Sequence, residues 1–314
     1  MPRGNWMESE IREQPAALSG NADRFLKESM AFLSGKSFEM VVLVARGSSD
    51  NAALYARYLI EVHLRIPVAL AAPSVLTRYG SKIRYPKCLA IGISQSGAAP
   101  DVSEVIAELR QEGHTTVGVT NTVGSRLTSV AEFSILLNSG EEKSVAATKT
   151  YTASLLALYQ LVRAAGAELP EPVLPDDSVV EFCQAAAERS LGAVLRSDRW
   201  FALARGYSFS SAQETALKMM ECALLPFKAY SSADFQHGPR ALASHGTVAV
   251  VYGDKVDGLE GSGCLVEQAP RSTVDVSAPI SEIIYGQWLA LLAARARGLD
   301  PDKPHNLSKV TETR

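Results

Sequence analysis

Three charged residues recur at helical spacing in Gln213-Glu214-Thr-Ala-Leu-Lys218-Met-Met-Glu221-Cys-Ala-Leu-Leu225. At about 100° per residue, Glu214, Lys218 and Glu221 fall within roughly 60° of one another, while Leu217, Met219, Met220, Cys222 and Leu224 cover most of the rest. A helix apolar on most sides is buried. Its charged stripe therefore faces either a narrow strip of solvent, as an ordinary i,i+4 pair, or an enclosed cleft. In a cleft, a carboxylate beside an ammonium can move a proton next to a carbonyl, one as base and the other as the cation for the developing oxyanion. His237 follows in a loop of turn formers, Asp234-Phe-Gln-His237-Gly-Pro239, and an imidazole is the side chain suited to the proton transfers that open a sugar ring.

A second constellation is Leu89-Ala-Ile-Gly-Ile93 running into Ser94-Gln95-Ser96-Gly97. Continuous apolar runs are strands buried on both faces of a parallel sheet, and ligands of open α/β sheets sit beyond the carboxyl ends of such strands. The amphipathic segment from Asp101 to Arg110 makes the loop open onto a helix N-terminus, whose free N–H groups favour an anion such as a phosphate. The loop has no Lys and is not a Walker motif, so a nucleotide triphosphate with its metal is not expected. Taken alone, Ser-x-Ser-Gly reads first as a turn capping a helix, and only its context makes it a binding loop.

The elements that must position these residues alternate. Helices are expected over Met7 to Pro15 and Ala16 to Leu33, then a first core strand over Glu39 to Ala45 ending in Arg46-Gly47-Ser48-Ser49, and a helix from Asp50 to Leu64. Strands follow at Ile66 to Ala72, Leu89 to Ile93, Thr115 to Thr120 and Phe133 to Leu137, and a long helix from Thr148 to Ala165. The Pro-rich acidic stretch Glu168 to Asp177 reads as a linker. After a helix from Ser178 to Leu195 and the strand Trp200 to Ala204, the chain repeats itself. Ala45-Arg46-Gly47 returns as Ala204-Arg205-Gly206, and the same offset of about 159 positions sets Val248 to Val251 on Leu89 to Gly92. This predicts two copies of one α/β unit, each a parallel sheet flanked by helices in a three-layer arrangement. In the second copy Gly253, Asp254 and Lys255 replace Ser94, Gln95 and Ser96, so only the first is expected to bind phosphate.

At 314 residues the chain has ample length for two cores. A net charge of −3 leaves no basic footprint for nucleic acid or an anionic membrane. The four cysteines, Cys88, Cys183, Cys222 and Cys264, have no C-x-x-C pairing, so neither a zinc site nor a disulfide framework is expected, and no cofactor or metal is called for. With no signal pattern and no apolar run of membrane-spanning length, a cytoplasmic protein is expected.

Taken together, Glu10-Ile-x-Glu-Gln-Pro15, Ser94-Gln-Ser-Gly97, Val145-Ala-x-Thr-Lys149, Glu214-x-x-x-Lys218-x-x-Glu221, His237-Gly-Pro239 and Asn306-Leu-x-Lys309 resemble the tandem sugar isomerase (SIS) domain family. The likeness is to the isomerase half of glucosamine-6-phosphate synthase and to stand-alone deaminases and isomerases of amino-sugar phosphates, from Met7 to about Val250 and again at the tail. It implies a helical segment at 1–35, SIS domains at 36–167 and 178–298, and a tail at 299–314 that closes the site. It also implies roles: Ser94, Gln95 and Ser96 bind the phosphate, Ser49 and Val145 lie near the sugar, and Ser308 contacts substrate. Glu221 is the base shuttling a proton between C1 and C2, Lys218 the cation by the enediol oxygen, His237 the ring opener supplied across a dimer interface, and Lys309 the tail lysine at the open-chain carbonyl.

Ala98 and Ala99 stand where the family has an acid and a threonine, Ala147 where the synthase has a serine, and Gly253 to Ile280 is shorter than the family's second domain. No glutaminase domain precedes the site, so the expected direction is deamination: glucosamine 6-phosphate and water to fructose 6-phosphate and ammonia in a homodimer with shared sites. A plain aldose/ketose phosphate isomerase and a catalytically silent sugar-phosphate-binding regulator are the alternatives.

Overall fold

The computed structural model describes residues 3–309, and the chain divides into two compact units. One comprises residues 16–141 and 153–172. The other comprises residues 3–15, 142–152 and 173–309. The strands are β1 (Met40–Val44), β2 (Val68–Leu70), β3 (Cys88–Ile93), β4 (Thr115–Thr120), β5 (Phe133–Leu136), β6 (Arg199–Ala204), β7 (Lys228–Ser231), β8 (Thr247–Val251) and β9 (Leu265–Gln268). The helices are α1 (Asn5–Arg12), α2 (Gln14–Ser19), α3 (Ala22–Leu33), α4 (Ser48–Leu59), α5 (Ser74–Thr77) and α6 (Pro100–Gln111). They continue with α7 (Arg126–Val130), α8 (Lys149–Ala164), α9 (Asp177–Arg196), α10 (Phe209–Ala223), α11 (Ser232–Phe235) and α12 (Pro279–Ala296).

The first sheet is parallel, in the order β2-β1-β3-β4-β5. Every residue of β1 and β3 is buried. Met40, Val42, Val44, Cys88 and Ala90 pack on Val102, Ile106 and Leu109 of α6 and Leu127 of α7, so alternate residues serve this face and the others the opposite one. The expected strand Ile66 to Ala72 shrinks to three residues. Pro67 has no N–H to give, and its carbonyl accepts from Val41 N at 3.0 Å, so pairing begins only at the edge of the sheet. The helix expected to reach Leu64 is α-helical to Leu59 and then widens into a π turn over Ile60–Leu64.

The second sheet is also parallel, in the order β7-β6-β8-β9, the same order as the first four strands of the first sheet. The shortening seen in Gly253 to Ile280 falls on a helix, not on a strand: between β8 and β9 stands only a 3-10 turn, Glu260–Ser262. At the centre of this unit α12 is buried on nearly all sides and packs against α9 and α10. Gly286 permits the close approach to α10, because a Cβ there would overlap the Thr215 hydroxyl. No helix among the described residues is long and apolar enough to cross a membrane.

Candidate functional site

The charged stripe of α10 is buried, and the exposed-strip alternative is excluded. Glu214 is wholly buried and Lys218 only 1% exposed, whereas Glu221 keeps 23% of its side chain in solvent. The Lys218 ammonium donates to Glu221 Oε2 and lies 3.4 Å from Glu214 Oε1. Burial by itself lowers a lysine pKa, but the two carboxylates outweigh it and hold Lys218 above its ordinary value. Lys218 is therefore held in its charged form near neutral pH. Glu221 is the member of the stripe that a bound molecule can reach. The apolar side of the helix is less buried than its pattern implies. Met219 and Cys222 are in the core, but Met220 and Leu224 are exposed, and the helix stops at Ala223 with Leu224 in the left-handed region (φ 52°).

In the same unit, the segment from Glu142 to Lys149 carries Val145, half-buried, and receives the tail. Lys309 Nζ donates to Glu142 Oε2 at 2.8 Å and to the Ser144 carbonyl at 2.6 Å, with exposed Ser308 beside it. Asp300 and Asp302 hold the tail from its other end. Their carboxylates accept the backbone N–H groups of Gly4, Trp6 and Met7, each at 2.9 Å, which caps α1. Of the expected tail at 299–314, residues 310–314 lie outside the described residues.

Glu142 organises this segment, and the sequence did not single it out. It accepts from Thr148 N at 2.9 Å, Thr150 N at 3.1 Å and Thr150 Oγ1 at 2.7 Å as well as from Lys309. Burial pushes its pKa up, but Lys309 and these donors override that and hold it below the usual carboxylate value. Glu10 supplies the opposite case. Burial and the neighbouring Glu142 charge raise its pKa to about 7, against the Lys143 and Ser144 N–H groups that it accepts. Glu13 pairs with Lys149, and Gln14 bridges Thr152 Oγ1 at 2.9 Å and Gln287 Oε1 at 2.8 Å. The Glu10-x-x-Glu-Gln motif thus braces the segment that holds Val145 and meets Lys309.

In the other unit, Ser94, Gln95 and Ser96 follow β3. The sheet order reverses direction between β1 and β3, so the loops after these two strands, carrying Ser49 and Ser94 to Ser96, flank the switch point where open α/β sheets bind ligands. The backbone of the loop is fixed from both sides. Ser94 N donates to Val119 O at 3.0 Å, Asn121 N and Thr120 Oγ1 donate to Gln95 O at 2.9 and 3.1 Å, and Gly97 N closes on Ser94 O at 3.0 Å. Gly97 has φ +62°, and a Cβ there would overlap the Ser125 hydroxyl. Asp101 in the first turn of α6 is itself neutralised by Arg46 Nε at 2.7 Å, which limits its repulsion of an anion. Ser49 N donates to Arg46 O at 3.1 Å at the start of α4.

His237 is exposed in the turn after α11, its backbone N–H on Asp234 O at 2.9 Å, and within the chain its side chain has no hydrogen bond to Glu221 or Lys218 among the described residues. The structure brings together Lys218 with Glu221, Lys309 with the Val145 segment, and Ser49 with Ser94 to Ser96 at one sheet edge. It leaves His237 apart. No group of His, Cys, Asp and Glu suited to a metal occurs among the described residues.

The chain is similar to known proteins. Residues 38–164, which carry the first sheet, match the SIS domain family, and the second sheet lies outside the match. The chain is homologous to the isomerase half of glutamine–fructose-6-phosphate aminotransferase (isomerizing). It is 31% identical to the enzyme of Methanothermobacter thermautotrophicus over 97% of this chain and 57% of that one, and 29% identical to that of Aquifex aeolicus over 98% and 57%. The chain thus spans a little over half the length of these curated relatives. Among solved structures, a protein of Silicibacter pomeroyi DSS-3 provisionally named a phosphosugar isomerase superposes with a TM-score of 0.80 at 28% identity, covering 94% of this chain and 99% of that one. Glucosamine-6-phosphate deaminase of Thermotoga maritima shares the fold, with a TM-score of 0.79 at 23% identity over 98% and 100% of the two chains.

Proposed function

We propose that this protein is an amino-sugar phosphate deaminase that converts glucosamine 6-phosphate and water to fructose 6-phosphate and ammonia. The observation that carries the reading is the α10 stripe, a solvent-accessible carboxylate, Glu221, touching a buried, permanently charged ammonium, Lys218. That pair suits proton transfer beside a carbonyl. Glu221 takes the proton from C2 of the ring-opened aldose and returns it to C1, while Lys218 stabilises negative charge on the enediol-type oxygen. The product of this step is a C2 imine with a C1 hydroxyl. Water adds to the imine, and ammonia leaves. The curated relatives are named for joining an amino group to fructose 6-phosphate, and the reverse of that bond change is this deamination.

Ser94, Gln95 and Ser96 take the role of phosphate binders, with Ser49, Val145 and Ser308 toward the sugar and Lys309 toward its carbonyl. His237 opens the ring. Its exposure, without a hydrogen bond to Glu221 in its own chain, suits delivery to the site of a second copy in a two-fold dimer, each His237 completing the partner's site.

The test is incubation with a panel of amino-sugar 6-phosphates and their hydroxyl counterparts, following ammonia and ketose phosphate together. Ammonia and ketose in equal amounts from the amino sugar support the reading. Ketose from an aldose phosphate with no ammonia from any amino sugar makes the protein a plain isomerase, and the absence of turnover makes it a binder.

A further inference from the structure

The unit built on the second sheet contains a cleft of about 230 Å³ that the proposed reaction does not use. Its volume is that of about eight water molecules, below the roughly 300–1,000 Å³ of drug-sized ligand pockets. The room suits a small metabolite. Leu174, together with Val179 and Phe182 of α9, gives it an apolar wall, and Arg271 and Ser272 come from the stretch after β9. Glu282 of α12 completes the lining.

Glu282 is only 2% exposed. Its Oε1 accepts from Ser211 Oγ at 2.8 Å, but Oε2 is buried without a hydrogen-bond partner among the described residues. An unmet buried carboxylate oxygen is costly, and a buried charge without a counter-ion more so. The groups facing it are the Ser208 hydroxyl, the Asp275 carboxylate and the Arg271 guanidinium, with Cys183 of α9, Tyr151 of α8 and Tyr252 after β8 nearby. Burial, only partly relieved by the serine hydroxyls, raises the carboxyl to about 7. An ammonium would supply the missing donor and add to the partial charge compensation that the Arg271 guanidinium gives. Arg271 is half exposed and pairs at 2.8 Å with an Asp254 side chain that is 88% exposed, a weak pair that an incoming anion can displace.

We propose that this cleft binds a small zwitterion, its primary ammonium on the Glu282 carboxylate, its anionic group on Arg271, and its carbon skeleton against Leu174, Val179 and Phe182. Both an amino acid and an amino-sugar phosphate have this chemistry. The amino-sugar arm rests on the reaction proposed above; the amino-acid arm does not. Because Ser211 lies on α10 seven and ten residues before Lys218 and Glu221, the carboxylate is held roughly 10–15 Å along that helix from those two residues.

Phe182 is 58% exposed and accepts a tryptophan reporter. The Phe182→Trp chain, in a Glu221→Gln background so that an amino sugar is not consumed, is titrated with L-leucine, glucosamine 6-phosphate and glucose 6-phosphate while indole fluorescence is followed. A saturable change with either amine, and none or at least tenfold weaker binding with glucose 6-phosphate, supports the proposal and identifies the source. Adding Glu282→Gln, which keeps the acceptor for Ser211, should weaken that binding at least tenfold, and so should Arg271→Ala at an exposed position that folding does not depend on. The proposal is overturned if neither amine gives a saturable change, if glucose 6-phosphate binds as tightly as the amino sugar, or if both variants bind like the parent. The fluorescence readout is independent of ammonia release, so failure here and failure of the deaminase reading are separate results.

Discussion

Removing the Lys218 ammonium should damage stability and chemistry separately, and the two can be pulled apart. At an effective dielectric constant of about 20, opposite charges 3.4 Å apart attract by about 5 kcal/mol, offset by a desolvation penalty of several kcal/mol for each buried ion. In Lys218→Met the attraction is lost while the penalty on wholly buried Glu214 remains. Breaking such a pair from one side costs about 3–5 kcal/mol. Folded domains have only about 5–15 kcal/mol to lose, and with m-values of about 1–3 kcal/mol per molar urea the denaturation midpoint should fall by about 1 M or more. The double variant Glu214→Gln/Lys218→Met removes both buried charges, and it should recover most of the midpoint because Glu221 can rehydrate. It should recover none of the turnover, since the cation beside Glu221 is still missing. An unfolding free energy within about 1 kcal/mol of the parent for the single variant would refute the buried pair, and turnover in the double variant would refute the role of Lys218.

Ser96→Asp puts a carboxylate where the phosphate is expected, and KM for the sugar phosphate should rise at least tenfold with the urea midpoint little changed. Glu10 has its pKa raised on folding, so its contribution to stability is full below its unfolded value near 4.5 and is lost as pH rises through about 7. The midpoint of the wild type should therefore decline across that window, and Glu10→Gln, which retains an acceptor oxygen for the Lys143 and Ser144 N–H groups, should flatten the decline; an identical profile in the variant removes Glu10 from it. Mixing Glu221→Gln with His237→Ala chains should restore part of the activity, as a mixed dimer contains one site with both residues intact. If subunit exchange is shown by mass and no activity returns, both residues serve one chain's site.

Parts of this account were legible in the sequence because one physical signal governed each. β3 and the loop after it could be read since an unbroken apolar run, a Ser/Gly turn and Pro100 at the start of an amphipathic stretch all point to strand, loop and helix. The stop of α10 could not. A helix end is read from glycine in the left-handed position, and here Leu224 takes it, with Leu225 N closing on Met219 O at 3.1 Å. Glu142 was hidden for a different reason. Gly140-Glu-Glu-Lys-Ser144 has the composition of a solvated turn, and only the tertiary arrival of Thr150, Thr148 and Lys309 makes one of its two acids a buried hub. The burial of Glu214 and Lys218 was undecidable from periodicity, because an i,i+4 ion pair reads the same on a surface and in a core. The repeat was legible as an offset of about 159 positions and returns as a shared strand order, but the family match covers the first sheet alone.

The claim that Glu221 and Lys218 move a proton and release ammonia is tested most directly with glucosamine 6-phosphate deuterated at C2, following ammonia and the position of the label in the ketose phosphate by NMR. The account predicts one ammonia per fructose 6-phosphate, part of the deuterium carried to C1, and a loss of about 10²- to 10⁴-fold in rate for Glu221→Gln. Ketose phosphate formed without ammonia, or a Glu221→Gln chain that turns over at the parent rate, would contradict it.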